Sequence, residues 1–210
     1  EGEVPDIVNN GTFIADYGWE MHHTLNEIAA TQGASRIKRA NVVQGNVKEG
    51  EKAIIQKTAL DIDTILAKKS NQYQKGYQMQ FTSNHDENSW NGTEYEKYGY
   101  AAKAFAVHSF TWNGIPLIYS GQELPNHKRL AFFDKDVIEW NGEYEMQDFY
   151  KILLNLHTNN TALRGGDPAV STYILHTNAD DKVFAYFRRN GSDEVLVLLN
   201  MCNEKVNCEM

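Results

Sequence analysis

Cysteine is nearly absent from this chain. The only two, Cys202 and Cys208, both lie in the last nine residues. Such a pair can close one local disulfide or stay as two thiols, and no other run has metal-ligand spacing. Positive charge is scarce too: 20 Lys and Arg stand against 28 Asp and Glu, a formal net charge of −8. With no basic stripe to neutralise phosphates, a nucleic-acid partner is excluded, and a neutral or cationic substrate fits. Long apolar runs are missing. The longest, such as VLVLL near the C-terminus, are far too short to span a bilayer. A targeting segment is missing as well: the chain opens on EGEVPD, with no initiator Met and no signal peptide, a start expected of a trimmed protein or a piece of one.

What is present is enough apolar residue, 41% of 210, to bury a core in one or two domains. Four Trp and eleven Tyr suit either a surface that stacks on sugar faces or an ordinary aromatic core. Four helical patterns stand out. In DYGWEMHHTLNEIAA, Met21, Leu25, Ile28 and Ala29 fall on one face. In EKAIIQKTALDIDTILAKK, the stripe is Ile55, Ala59, Ile62 and Leu66. A third helix is expected from about Glu94 to Trp112. It opens with a capping box, Thr93 with Glu96, and is apolar nearly all round. The fourth, MQDFYKILLNLH, groups Phe149, Ile152, Leu153 and Leu156. The neighbours His22 and His23 point about 100° apart on a helix, so they make no metal clamp and read as a surface pair. KRAN and AKKS read as solvated helix faces.

Short apolar runs separate the helices. YQMQFTSN precedes the third, and GIPLIYSGQE follows it. Alternating with helices, they read as buried parallel strands of βα units. After GGDP at 165–168 the pattern changes: VSTYILHTN, KVFAYFRRN and EVLVLLNM, joined by compact turns, predict an antiparallel meander in a second domain.

The stretch FTSNHD, residues 81–86, runs from an apolar strand straight into Asn, His and Asp. In βα units the carboxyl end of a parallel strand is where ligands meet the protein. Asp86 there is either a loop cap or part of a site, with His85 as its adjacent partner.

Together with GIPLIYSGQE, this stretch resembles the α-amylase family of glycoside hydrolases. In that family the seventh barrel strand ends in Phe-x-x-Asn-His-Asp and the eighth reads Gly-Ile-Pro-x-Ile-Tyr-x-Gly-Gln-Glu. Phe81, Asn84, His85 and Asp86 match the first motif; Gly114, Ile115, Pro116, Ile118, Tyr119, Gly121, Gln122 and Glu123 match the second. FIADYGWEMHHTLNEIAA is similar to the sixth strand and its helix in bacterial maltodextrin-degrading members. KRLAFFDKDVIEW and the antiparallel tail resemble the same group's loop and C-terminal β domain, so the resemblance runs from Glu1 to about Asn200. It implies an α/β fold: residues 1–165 form the C-terminal portion of a (β/α)8 TIM barrel, with strands six to eight. Residues 166–210 form part of an antiparallel β-sandwich domain.

The resemblance also implies a chemistry, retaining hydrolysis of α-1,4 bonds in starch or maltodextrins. Asp86 matches the carboxylate that holds sugar hydroxyls at the cleavage point and stabilises an oxocarbenium-like ring. His85 and Asn84 match substrate-binding neighbours. Trp90 is a candidate sugar platform, or a lid over the barrel mouth. The acid/base falls on Glu1 in the preferred register, set by aligning the run up to DYGWEMHH, and on Glu3 in the alternative; whichever is not the acid reads as an exposed loop carboxylate. Glu123 matches no catalytic position and reads as a structural carboxylate.

The nucleophile Asp, its flanking Arg and the strands before the sixth have no match in these residues. The 210 residues alone are therefore expected to be inactive. A transglycosylase of the 4-α-glucanotransferase kind and a non-catalytic glycan-binding or scaffold protein are the alternatives. The expected partner is an α-glucan oligosaccharide. No cofactor is expected here, calcium belongs to segments outside these residues, and a periplasmic or extracellular location is favoured over the cytoplasm.

Overall fold

The computed structural model describes residues 2–35, 40–41, 53–54 and 56–210. Ile55, the basic residues of KRAN and Glu1 lie outside them. After a short helix α1 (Pro5–Asn9), strand β1 (Ala15–Tyr17) leads into helix α2 (Trp19–Thr31). Met21, Leu25, Ile28 and Ala29 are all buried, as their spacing predicts. His22 is buried too, which corrects the expectation of a surface pair: it sits on the flank of the helix that faces the sheet, under Phe81. The pair β2 (Ala40–Asn41) and β3 (Ala53–Ile54) runs parallel.

Helix α3 (Leu60–Gln72) starts later than its apolar stripe implies, because the Asp61 carboxylate takes the Thr58 backbone N–H at 2.8 Å and sets the first turn there. Ala59, Ile62 and Ile65 are buried along it. Its Lys69 corrects the reading of AKKS as a solvated face: the ammonium is held by Glu3 and Glu20 and is mostly buried.

Strand β4 (Tyr77–Gln80) pairs parallel with β1 through Ala15↔Tyr77 and Tyr17↔Met79. The third helical stretch keeps its predicted capping box, with Glu96 N–H on Thr93 Oγ1 at 3.3 Å and Thr93 N–H on Glu96 Oε2 at 2.8 Å. It is not one helix, however. Helix α4 (Glu94–Tyr98) ends at Gly99, a 3₁₀ turn follows, and α5 runs Ala102–Thr111. Gly99 adopts φ +51°, and a Cβ there would stand 2.3 Å from the Ala34 carbonyl oxygen. The turn that follows α2 approaches so closely that only glycine fits.

Strand β5 (Ile115–Pro116) completes a three-stranded parallel sheet in the order β1-β4-β5, with Met79↔Ile115 in register. Helix α6 (Gln147–Asn159) is placed as predicted but turned on its axis. Tyr150 and Leu153 are buried with Met146 against Ala106 and Phe110, while Ile152 is 66% exposed. The Tyr150 hydroxyl, bonded to Gln122 Nε2 at 3.0 Å, fixes that rotation.

The antiparallel meander is present: β6 (Ser171–Leu175), β7 (Val183–Asn190) and β8 (Asp193–Asn200), in that order. A two-residue turn, Gly191-Ser192, joins the last two. The sheet packs on the helices: Phe184, Tyr186, Leu199 and Met201 share one apolar cluster with Leu25, Ile28, Ile62, Phe105 and Trp112. Cys202 and Cys208 are both free thiols. Among the described residues no helix is long and apolar enough to cross a membrane.

Candidate active site

The polar residues of FTSNHD build the end of β4 downward into the core and upward into solvent. Phe81 is buried, stacked on His22 at 4.4 Å and edge-on to Tyr17 and Trp19. The Thr82 carbonyl accepts from Lys97 Nζ at 2.8 Å, and Thr82 Oγ1 accepts from Gln122 Nε2 at 2.9 Å. Asn84 is buried, and its Oδ1 accepts the Glu87 backbone N–H at 2.8 Å, which starts a π-helical turn, Glu87–Asn91. No separate turn motif is needed after the strand, because Asn84 itself caps the element that follows. π-Turns are frequent at functional sites. His85 and Asp86 are left at the surface, with 43% and 35% of their side chains exposed and Nε2 3.6 Å from Oδ1.

Beneath them lies a charge network that sequence reading did not find. Glu87, fully buried, receives Lys97 Nζ at 3.0 Å, Asn91 Nδ2 at 2.8 Å and His22 Nε2 at 2.7 Å. Burial works to raise the Glu87 carboxyl, but the His22 hydrogen bond and the Lys97 charge outweigh it and hold the group well below the usual carboxylate range. Burial, with Lys97, pushes His22 down to about 4. A neutral His22 has one N–H, which serves either Glu87 or, from Nδ1, the Phe81 carbonyl at 3.1 Å. The network is closed by protein on every side and carries no reacting group. It pins the strand end against α2 and α4. His22 comes from a distant helix, so no local spacing betrays the network.

An aromatic corner stands beside the exposed pair. Trp90, 56% exposed, meets Phe132 at 5.2 Å and Phe133 at 5.9 Å, and Phe132 lies nearly parallel to His85 at 6.1 Å. Trp90 is legible from its place after Asp86. The two phenylalanines come from the loop after β5, whose proximity only the fold reveals.

Glu3 is committed elsewhere, and it is not the exposed loop carboxylate expected of a non-catalytic Glu3: packed between α2, α3 and β4, it is mostly buried. Its Oε2 accepts the Glu20 backbone N–H at 2.8 Å in the first turn of α2, its Oε1 accepts from Gln78 Nε2 at 3.1 Å, and Lys69 pairs with it. Glu1 lies outside the described residues. Glu123 takes the Gly121 backbone N–H at 3.0 Å, as expected of a structural carboxylate. Glu94, which the sequence did not single out, is buried beside Gln122 and Lys97, and burial pushes its carboxyl up. Among the described residues no group of three His, Cys, Asp or Glu side chains could hold a metal ion.

Parallel strands alternating with helices, a polar carboxylate–imidazole pair at the carboxyl end of the central strand and an antiparallel sheet behind them define the C-terminal part of a (β/α)8 barrel with its β domain. The comparisons make the resemblance particular. No family model matches the chain. The α-amylase MalA of Haloarcula japonica is 33% identical over 130 residues, which cover 60% of this chain and 18% of that protein. The noncanonic maltogenic α-amylase AmyB of Thermotoga neapolitana superposes with a TM-score of 0.69 at 16% identity, covering 94% of this chain and 40% of that one. An α-amylase from Lactobacillus plantarum gives 0.64 at 16%, covering 89% and 37%. A cyclomaltodextrinase gives 0.62 at 19%, covering 89% and 28%. The chain thus resembles the α-amylase family, over the C-terminal part, in sequence and in fold. It spans less than half the length of each of these relatives.

Proposed function

We propose that this chain carries the strand-end half of an α-glucan hydrolase site that works with retention at α-1,4 bonds. The observation behind this reading is the placement of Asp86. It is the one carboxylate of the Asn-His-Asp run left at the surface, at the carboxyl end of the central parallel strand, with His85 beside it and Asn84 locked beneath. A neutral sugar offers hydroxyls to such a pair. Asp86 accepts from them and, as the ring flattens toward an oxocarbenium ion, places a fixed negative charge beside the growing positive one. His85 donates to the same sugar. Asn84 sets the backbone from which both project.

The acid/base on this reading is Glu1. Glu3 already caps α2 and pairs with Lys69, and a carboxylate held by a cation is a poor proton donor to a leaving oxygen. Retention requires a nucleophilic carboxylate ~5–5.5 Å from the acid. That nucleophile has no counterpart in these residues, so the 210 residues alone turn over no substrate.

The test uses the protein as its gene encodes it, assayed on maltoheptaose with the anomer of the fresh product read by NMR. Asp86→Asn is expected to lower kcat/KM by ~10³-fold or more, the scale for losing a group that acts on the transition state, and the wild-type product is expected to appear first as the α-anomer. Unchanged turnover in Asp86→Asn would overturn the reading. Binding of maltoheptaose without any turnover by the wild type would replace the enzyme with a glycan-binding protein.

A further inference from the structure

Lys97 is a buried cation that takes no part in the chemistry just described: its side chain is 1% exposed, and that of its partner Glu87 is 2% exposed. Desolvation of both charges offsets most of their attraction, so a buried ion pair contributes little stability over an apolar pair of the same volume. What such a pair does supply is direction.

The bonds of Lys97 reach both sides of the site. Its Nζ donates to the Thr82 carbonyl at 2.8 Å and to Glu87 Oε2 at 3.0 Å. Thr82 lies just past the end of β4, and Glu87 opens the π-helical turn. Between them stand Ser83, Asn84, His85 and Asp86. One ammonium thus closes, at both ends, the loop that carries the exposed pair. The His22 ring spans the same gap, with Nδ1 3.1 Å from the Phe81 carbonyl and Nε2 2.7 Å from Glu87 Oε2.

The two ends are each fixed, but separately. On the strand side, Gln122 holds Thr82 Oγ1 at 2.9 Å and is itself bonded to Tyr150. On the turn side, Asn84 takes the Glu87 N–H on Oδ1 at 2.8 Å and the Asn88 N–H on its carbonyl at 2.9 Å. Those bonds fix residues 84–88 relative to one another and not relative to the strand. At the joint stands Ser83, whose buried Oγ bonds to nothing among the described residues. The Lys97 bonds cross that joint. Lys97 is itself firmly seated: its backbone N–H bonds to the Thr93 carbonyl at 3.0 Å, in the turn that the capping box closes.

We propose that Lys97, with His22 as a second rung, is a positioning residue for Asp86. By holding the Thr82 carbonyl and the Glu87 carboxylate together, it sets where the Asp86 carboxylate stands against the sugar. The inference rests on the reading of Asp86 given above. Lys97 touches no substrate. A displacement of about 1 Å in a group that acts on the transition state costs ~10²-fold in rate. Contacts along the rest of an oligosaccharide are not altered by it, so the loss falls on kcat and not on KM.

The experiment again uses the protein as its gene encodes it, with maltoheptaose as substrate. Lys97→Met alone strands the Glu87 charge in the interior and should lower the melting temperature as well as kcat. Adding Glu87→Gln in the same chain removes that charge. The double variant is expected to regain most of the melting temperature while kcat stays ~10²-fold down and KM holds within about threefold. His22→Phe cuts the second rung and leaves the ion pair and the stack on Phe81 in place. It should lower kcat by a smaller factor, again with KM held. Recovery of kcat together with the melting temperature in the double variant makes the pair a matter of stability alone and refutes the proposal. A raised KM with kcat intact refutes it too. If the double variant does not fold, His22→Phe decides, and wild-type kcat there overturns the clamp. Asp86→Asn is run alongside. If it abolishes turnover while the clamp variants keep kcat, the clamp falls and the reading of Asp86 stands. If Asp86→Asn turns over normally, both fall together.

Discussion

At the scale of single residues, the titratable groups the site does not use govern how the protein responds to acid. His108 is buried on α5 among Trp112, Phe184 and Tyr186, and burial pushes it down to about 3. His22, beside Lys97, is pushed down to about 4. Both are neutral when folded, whereas an unfolded histidine takes its proton near pH 6.5. Their folded values lie below the unfolded one, so the stability tied to them is complete above about pH 6.5. It is lost as pH falls toward 4 for His22 and 3 for His108. Each group costs about 1.4 kcal/mol per pH unit within its window. From pH 7.5 to pH 5 the unfolding free energy is expected to fall by about 4 kcal/mol from these two alone, which is large against a typical total of 5–15. His108→Phe should remove about half of that slope. Urea unfolding followed at a series of pH values measures it, and an unchanged slope in His108→Phe would refute the assignment. None of this was legible in the sequence. A histidine between Val107 and Ser109 says nothing of its surroundings, and His22 next to His23 looked like a surface pair until Phe81 was seen to cover it.

At the scale of elements, what could be read depended on how local its cause was. The capping box of Thr93 and Glu96 involves residues three apart, so the sequence alone shows it. The buried face of α2 follows from its own periodicity, and it too is legible. The α6 face was misjudged because Tyr150 counts as one more aromatic in the pattern, while in the fold its hydroxyl must reach Gln122. The break between α4 and α5 is not legible for the same kind of reason: Gly99 turns where the Ala34 carbonyl, from the turn after α2, leaves no room for a Cβ. Gly99→Ala tests that cause. With φ at +51° and a Cβ meeting a backbone oxygen at 2.3 Å, the change should cost about 2 kcal/mol or more, beyond the ~1 kcal/mol that alanine can return by stiffening the unfolded chain. A lowered midpoint in denaturant is the expected result. If Gly99→Ala instead stabilises, the approach of Ala34 does not constrain this turn. The site divides along the same line. Asn84, His85, Asp86 and Trp90 occupy one short run, so their proximity is legible in the sequence. Phe132 and Phe133 reach the same corner only because Asn88 and Glu96 hold a remote loop.

At the scale of the whole molecule, the antiparallel sheet and the helices behind the parallel sheet share their core. Phe184, Tyr186, Val197 and Leu199 of the meander lie in one cluster with Leu25, Ile28 and Ile62 of the helices. Polar contacts cross the same boundary. The Tyr186 hydroxyl bonds to Thr111 Oγ1, and the buried Arg188 donates to the Thr111 carbonyl at 3.3 Å. Change of pattern along a chain marks where one kind of element gives way to another, but whether the two kinds bury each other is decided by side chains that face across the junction. A shared core unfolds as a unit, because neither face survives in water without the other. Leu199→Ala, which deletes buried volume from the sheet side, should destabilise by about 2–5 kcal/mol. Hydrogen exchange can locate that loss. In a shared core the slow amides of α2 and α5 lose protection by the same amount as those of β7 and β8. If the helices keep their protection while the sheet alone loses it, the sheet opens as an independent unit, and the end of β4 with its site owes nothing to the meander behind it.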